Sequence, residues 1–242
     1  AELGIDVCAV AAFTRRFSAL SPRAFVKKIL IGALNCRAVF VGENFRFGRN
    51  AAGDAALLEE LCRQEGLRCT VIPFIKVRGT VVSSSLIRRL VSSGKLDAAR
   101  RMLLRPVSVF GDVVRGSGRG RALGYPTANI DPHHEVTPPA GIYGVFAVLE
   151  GKKYRGLCYI GTRPTFRPRG REGAETEDIR RCVPGFCIEV HILGFKKNIY
   201  GKTLEVQFIK KIRGDRKFSS PGALIQQIRK DIHKAQTLFR TP

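Results

Sequence analysis

The stretch IYGVFAVLEGKKYRGLCYIG, residues 142–161, carries the pattern that decides the fold of the second half of the chain. It holds two runs of β-branched and aromatic residues with a period of two, and a charged glycine turn separates them without room for a helix. Similar runs lie on either side: SVFGDVV, CIEVHILGF and TLEVQFIKKI. Five or six short strands in about 110 residues predict a small closed barrel or a sandwich.

The chain closes with an amphipathic helix. Ser219, Ser220 and Pro221 provide its N-cap and a first-turn proline. Apolar side chains then recur at helical spacing and form one face: Leu224, Ile225, Ile228, Ile232, Ala235 and Leu238. We expect this face to pack on the barrel, because an apolar stripe must be buried.

Residues 5–103 follow a different pattern, in which strands alternate with helices. The strand runs are VCAVAAF (7–13), AVFVG (38–42) and CTVIPF (69–74), and the helical runs are PRAFVKKILIGAL, DAALLEELCRQEG, SLIRRLVSS and LDAARRMLL. Alternation of this kind predicts an α/β domain with a parallel sheet and right-handed crossovers. Because the pattern changes at Arg105 and Pro106, we predict two domains, 1–104 and 105–242.

Composition limits the class of protein. The 242 residues are 44% apolar, which supports a real core, and carry a net charge of +22, which indicates anionic partners such as phosphates, nucleotides or nucleic acid. Seven cysteines without a C-x-x-C pair predict reduced thiols in a cytoplasmic protein, with a disulfide or metal framework as the alternative. No run of about 18 apolar residues occurs, so we expect no membrane-spanning helix.

A glycine- and arginine-rich stretch, GSGRGRALGYPTANI (116–130), is the first candidate site. Its glycines let the backbone approach an anion, and its arginines supply positive charge. It is neither a Walker loop nor a Rossmann fingerprint, because the G-K-[ST] ending is absent and Pro126 interrupts the region where a helix would begin. A plain β-hairpin is the alternative.

The same stretch ends in two oxygen-bearing side chains. If it is extended, Thr127 and Asn129 point the same way, because side chains two apart share a face of a strand. Neutral oxygens of this kind suit Mg²⁺, which completes its shell with water and substrate phosphates. The alternative is that both residues only fix a turn.

Glu189 is the candidate general base. Within CIEVHILGF, three apolar residues (Ile188, Val190 and Ile192) share one face, so Glu189 lies on the other face with His191. Phosphoryl transfer to an alcohol needs a base near the nucleophile. Glu189 is then either a solvated residue of the outer face or a residue that faces a cavity.

Several motifs in order resemble a known family. GSGRGRALGYPTANI, GIYGVFAV (141–148), YIGTRPTF (159–166), IEVHILGF and KKIRGDRKF (210–218) resemble the riboflavin kinase domain. GENFRFG (42–48) and VSSSLIRRL (82–90) resemble the FMN adenylyltransferase module of bacterial bifunctional FAD synthetases. The resemblance covers nearly the whole chain.

For the second half, the resemblance implies a six-stranded Greek-key barrel. Such a domain transfers the γ-phosphate of ATP to the 5′-hydroxyl of riboflavin, with Mg²⁺, and gives FMN. Thr127 and Asn129 match the metal and phosphate residues of the family, and Glu189 matches its catalytic base. The remaining matches are a phosphate-covering flap with Gly116, Gly118 and Arg121, and a flavin-bordering loop with Arg213, Arg216 and Phe218.

For the first half, the resemblance implies only part of a site. The family carries a Gly-x-Phe-Asp-Gly-x-His-x-Gly-His motif, whereas the four histidines here are at 133, 134, 191 and 233. We therefore expect an N-terminally truncated copy of a nucleotidyltransferase-like domain, with adenylation of FMN to FAD belonging to the longer parent. The residues that match FMN- and ATP-contacting positions are Asn44, Arg46, Ser84, Ser85 and Arg88.

The segment between two of these motifs departs from the family pattern. RPRGREGAETEDIRRCVPGFC (167–187) is longer than the family pattern and is rich in charge, which predicts a solvated loop.

Two other functions stay open at this point: a non-catalytic binder of flavin or nucleotide, and a basic RNA-binding protein. Only the RNA-binding hypothesis predicts strongly salt-dependent RNA affinity.

Overall fold

The computed structural model describes residues 4–116, 118–132, 135–162 and 186–239. The chain divides into two compact units, Ala1–Val81 and Val82–Pro242. The helices α4 (Ser84–Ser92) and α5 (Leu96–Leu103) fall in the second unit, where Leu96 and Ala99 share the barrel core. The assignment of domains 1–104 and 105–242 stays a prediction.

The first unit contains the predicted parallel pair. Strand β1 (Ala38–Gly42) pairs in parallel with β4 (Arg68–Ile72), and helix α3 (Ala55–Gln64) connects them. The other elements of this unit are α1 (Arg15–Ser18), α2 (Pro22–Phe25) with its π-helical continuation (Val26–Ala33), β2 (Arg46–Phe47), a 3₁₀ turn (Arg49–Ala51), β3 (Gly53–Asp54), β5 (Lys76–Val77) and β6 (Thr80–Val81). The α/β prediction for this half is confirmed.

The strand predicted at 7–13 is wrong. This segment forms no strand, and Val7, Val10 and Phe13 are 82%, 92% and 81% exposed. Its apolar pattern indicates a buried strand, but a strand needs a neighbour to accept its backbone hydrogen bonds. Among the residues from 4 onward that the structure describes, none pairs with this segment.

The second unit is a closed six-stranded antiparallel barrel, as expected. Its strands are β7 (Val107–Val114), β8 (Ala128–Asp131), β9 (Gly141–Leu149), β10 (Lys152–Thr162), β11 (Phe186–Ile192) and β12 (Thr203–Arg213). They close in the order β10-β11-β8-β7-β12-β9. Alternate side chains fill the interior, and Val109, Val145, Ile188 and Val206 are at most 1% exposed.

The sixth strand comes from the glycine- and arginine-rich stretch. After the short helix α6 (Arg119–Ala122), the chain becomes extended and enters β8. This strand pairs with β7 on one side and with β11 on the other. Asn129 therefore lies in an extended strand, and Thr127 immediately precedes it.

Helix α7 (Pro221–Leu238) packs on the barrel against β9, β10 and β12. The Ser220 hydroxyl accepts a hydrogen bond from the backbone N–H of Ala223, at 3.2 Å, as an N-cap does. Near the other end, Leu238 lies against Gly144, and the Phe239 ring lies 5.1 Å from the Phe146 ring. The packing that the apolar stripe predicts is confirmed.

The solvated loop predicted over 167–187 lies outside the described residues up to position 185. The prediction is wrong for residues 186 and 187, which begin β11 rather than end a loop. Hydrogen bonds to β10 explain the difference, since Cys187 pairs with Gly161 in the ladder. Within the described ranges, no helix has the length and apolar character that crossing a membrane requires.

Candidate active site

The barrel register places Glu189 in a row of side chains on the outer face. Its neighbours Ile188 and Val190 are each 1% exposed in the core, so Glu189 points outward and is half-buried. Across the sheet it pairs with Asn129 of β8 and with Tyr159 of β10. Residues directly opposite each other in antiparallel strands share a face. Glu189 therefore lies between these two side chains.

Thr127, Asn129 and Glu189 are brought together. The Thr127 hydroxyl donates a hydrogen bond to Glu189 Oε2 at 3.1 Å, and Asn129 is only 7% exposed. A cluster of a hydroxyl, an amide and a carboxylate is what the sequence predicts here. The roles of the three residues stay predictions.

The glycine-rich stretch lies directly against this cluster. A Cβ at Gly116 would stand 2.0 Å from Asn129 Nδ2, and one at Gly120 would stand 3.1 Å from Thr127 Oγ1. Both distances are shorter than a normal contact, so only glycine lets the backbone approach this closely. Gly118 has a φ of +71°, in the left-handed region that also favours glycine.

A cavity of about 400 Å³ opens between the loop and the strands. It is lined by Arg115, Gly116, Gly118, Arg121, Pro126, Thr127, Asn129, Glu189 and Tyr200. A second cavity of about 470 Å³ shares Arg121, Thr127 and Tyr200 with it and adds Lys196 and Lys197. Two arginines and one carboxylate line the first cavity, and Arg121 with two lysines lines the second, a charge balance that favours an anionic ligand.

The residues that follow β11 also line the cavity and were not predicted from the sequence. Lys196, Lys197 and Tyr200 belong to an irregular segment without a recognisable period, so nothing in the sequence directs them to the cavity. Tyr200 lies beneath the Arg115 guanidinium, whose carbon is 5.9 Å from the ring centre. This cation–π contact joins the segment to Arg115, the residue before the glycine-rich stretch.

His191 shares the outer face with Glu189, and the sequence pattern assigns it no role. Its Nδ1 lies 2.8 Å from the carbonyl oxygen of Pro126, and its ring meets the Tyr125 ring edge-on at 5.8 Å. A carbonyl oxygen only accepts, so Nδ1 carries the hydrogen. His191 therefore holds the backbone that leads into Thr127.

The predicted flavin-bordering residues lie at the end of β12 and just beyond. Ile142 of β9 pairs with both Tyr159 and Arg213, so the row that contains Glu189 continues to this loop. Arg213 forms an ion pair with Asp231 of α7 at 2.9 Å, and the Arg216 guanidinium lies 4.7 Å from the centre of the Phe218 ring. The structure brings Arg213, Arg216 and Phe218 together.

The five residues predicted for the adenylyltransferase part fall in two different units of the chain. Asn44 and Arg46 are exposed in the first unit, where Arg46 forms an ion pair with Asp54 at 3.2 Å. Ser84, Ser85 and Arg88 are exposed on α4, which belongs to the second unit. Their roles stay predictions.

Comparison with known proteins defines the class of the chain. Residues 103–239 match the Flavokinase family, described as riboflavin kinase, and residues 1–86 match the FAD synthetase family. The chain therefore joins a riboflavin kinase domain to a part of an FAD synthetase domain.

Curated relatives identify the family. Three are named bifunctional riboflavin kinase/FMN adenylyltransferase: one from Buchnera aphidicola, 34% identical and covering 97% of this chain and 72% of its own length; one from Bacillus subtilis, at 32%, 98% and 71%; and one from Escherichia coli, at 33%, 99% and 72%. The chain belongs to the bifunctional riboflavin kinase/FMN adenylyltransferase family.

A solved structure shares the fold. It is the crystal structure of a protein named as a macrolide-efflux protein from Streptococcus pneumoniae, is 28% identical, and aligns with a TM-score of 0.72 over 93% of this chain and 67% of its own. That name describes the Streptococcus protein alone, and the common architecture is what the likeness establishes.

Proposed function

We propose that this chain phosphorylates riboflavin to FMN with ATP, and that the reaction takes place at the cavity beside Glu189. The observation that carries the proposal is the hydrogen bond from Thr127 to Glu189, at 3.1 Å, in a cavity walled by a glycine-rich stretch. Membership of the riboflavin kinase family supports it. We also propose that the kinase domain begins after residue 104.

Glu189 is the proposed catalytic base. Its carboxylate takes the proton from the riboflavin 5′-hydroxyl as the oxygen attacks the γ-phosphate. Backbone N–H groups of the stretch that contains Gly116 and Gly118 approach the phosphates, and Arg121 offsets their charge. ADP leaves with the electron pair of the broken P–O bond.

The residues present also fit a Mg²⁺ ion. Among the described residues, no cluster of three or more His, Cys, Asp and Glu side chains could hold a metal. Thr127 and Asn129 instead offer neutral oxygens, the kind of donor that Mg²⁺ accepts when phosphates and water complete its shell. We propose that these two residues hold the ion with the ATP phosphates, where it would neutralise charge that develops on the phosphoryl group.

The flavin is proposed to lie against the loop of Arg213, Arg216 and Phe218. This loop presents an aromatic ring with a guanidinium stacked on it, next to the row that contains Glu189. An isoalloxazine ring is flat and partly polar, so such a surface suits it.

The proposed activity is phosphoryl transfer. Adenylation of FMN to FAD stays a prediction that rests on resemblance. Six described cysteines are free thiols, which supports a reducing compartment, so we propose the cytoplasm as the location. Family membership does not favour the RNA-binding alternative.

Thr127→Val tests the proposed metal site. The change keeps the shape of the side chain and removes the hydroxyl, so we expect the Mg²⁺ concentration for half-maximal FMN formation to rise about 10-fold, the effect of losing about 1.4 kcal/mol of binding. FMN formation from riboflavin and ATP is followed by chromatography. Thr203→Val, on β12, is the control. An unchanged Mg²⁺ requirement in Thr127→Val contradicts the assignment of Thr127 to the metal site. A separate outcome, in which the unaltered chain binds riboflavin without forming FMN, favours the non-catalytic binder.

Gly116→Ala tests the approach of the glycine-rich stretch. The new methyl group would displace the Asn129 amide, because its position lies 2.0 Å from Nδ2. Overpacking of this kind costs roughly 1–3 kcal/mol, so we expect kcat/KM for ATP to fall at least about 10-fold. Gly222→Ala is the matched control, since its nearest neighbour is 3.9 Å away. Equal kinetics in both variants would mean that the stretch does not contact the nucleotide.

A further inference from the structure

Tyr159 stands beside the proposed base and opens the YIGTRPTF motif, but the sequence assigns it no role. It pairs with Glu189 on one side and with Ile142 on the other. Its chain neighbours Cys158 and Ile160 are fully buried in the barrel core, so its ring lies on the outer face, as Glu189 does. Tyr159 therefore fills the row between the carboxylate and the flavin-bordering loop.

The phenol of Tyr159 is fixed at both its face and its hydroxyl. The ring folds over Gly161, where a Cβ would stand 2.0 Å from the hydroxyl oxygen and 2.2 Å from Cζ. The hydroxyl donates a hydrogen bond to Asp215 Oδ2 at 3.2 Å. Burial, with the charge of Asp215 second, raises the pKa of Tyr159 well above its usual range, so the phenol keeps its proton and donates.

Asp215 connects this bond to the flavin-bordering loop. Its other oxygen, Oδ1, accepts the backbone N–H of Arg216 at 2.8 Å. The same loop is tied to helix α7 by Arg216, whose Nη2 donates to Gln227 Oε1 at 2.6 Å. The loop is thus held to the helix at one side and to the strand next to Glu189 at the other.

We propose that Tyr159 is a positioning residue for the flavin substrate. Its hydrogen bond to Asp215 holds the loop of residues 213–218 at a fixed distance from Glu189, and this sets where the riboflavin hydroxyl meets the carboxylate. The inference rests on the proposed function. A positioning role differs from a purely structural role of the tyrosine. Loss of the positioning contact should impair the use of riboflavin and leave the binding of ATP unchanged.

Tyr159→Phe tests the inference, because it removes the hydroxyl and keeps the ring. We expect kcat/KM for riboflavin to fall about 10-fold while the KM for ATP changes less than about 2-fold, since the change removes a hydrogen bond to a charged group that holds only the flavin-bordering loop. Tyr154→Phe is the control on the same strand, where the ring packs against Phe195. Equal effects on both substrates, or none, overturn the proposal.

Hydrogen exchange provides a readout that does not depend on turnover. Amides of residues 213–218 should exchange faster in Tyr159→Phe than in the unaltered chain, and Tyr154→Phe should leave them unchanged. Asp215→Ala should mimic Tyr159→Phe, and the double variant should be no worse than Asp215→Ala alone. If the unaltered chain makes no FMN, the proposed function fails by itself. Unchanged exchange in Tyr159→Phe overturns the positioning role in either case.

Discussion

Glu189→Gln should lower kcat for FMN formation by about 10²- to 10⁴-fold, which is the usual contribution of a general base. The amide keeps the size of the side chain and its place beside Thr127, 3.1 Å away, but it cannot accept the proton of the attacking hydroxyl. Binding should change little, because Gln still accepts the hydrogen bond from Thr127. Steady-state kinetics with riboflavin and ATP measure kcat and both KM values separately.

Glu150→Gln is the control for this change. Glu150 lies in the β9–β10 turn, exposed, where it forms an ion pair with Lys202 at 2.6 Å. Its loss removes one acidic charge from the same barrel without touching the cavity, so activity should stay at the level of the unaltered chain. A Glu189→Gln variant that keeps more than about a tenth of the activity would assign the base role to another group or to solvent.

The barrel could be predicted because its strands alternate in a way that the sequence displays. Ile188, Val190 and Ile192 point into the core, and Glu189 and His191 point out, as the period of two requires. The strand predicted at 7–13 is wrong, because its apolar run shows only that the segment could be buried. Whether a neighbouring strand exists is a property of the rest of the fold.

Periodicity placed site residues together only where they are close in sequence, and the family resemblance was needed to add the distant Glu189. Thr127 and Asn129 are two residues apart, and an extended chain is enough to place them together. Tyr159 and Glu189 are adjacent because two strands pair in one register, which sequence periodicity leaves undetermined. The lysines at 196 and 197 reach the cavity through an irregular segment, for which no period exists.

Helix α7 was predicted from its apolar stripe, but two polar residues of that helix are also buried. Gln227 is 9% and Asp231 is 2% exposed. Gln227 accepts a hydrogen bond from Arg216, and Asp231 forms an ion pair with Arg213. Helical periodicity assigns polar residues to solvent unless a partner is known. The partners here are arginines on a different element, so this ion pair was not visible in the sequence.

Asp231→Leu should lower the free energy of unfolding by about 3–5 kcal/mol, because it leaves the Arg213 guanidinium buried without its partner. The side chains of Arg213 and Asp231 are only 16% and 3% exposed, and Arg213 Nε also donates to Asp231 Oδ2 at 2.9 Å. The change further removes the acceptor of the Gln227 side chain, whose Nε2 lies 2.7 Å from Asp231 Oδ1. Urea denaturation followed by circular dichroism measures the loss.

The double variant Arg213→Met with Asp231→Leu separates stability from function. An apolar pair of similar volume often replaces a buried ion pair at little cost, so the double variant should recover much of the stability that Asp231→Leu loses. The double variant lacks the guanidinium that we place against the flavin. Its KM for riboflavin should therefore exceed that of the unaltered chain, while its KM for ATP should be the same. Glu150→Gln, which breaks an exposed pair, should leave the urea midpoint where it is. If Asp231→Leu is as stable as the unaltered chain, the pair does not hold the loop to the helix, and the placement of Arg213 loses its support.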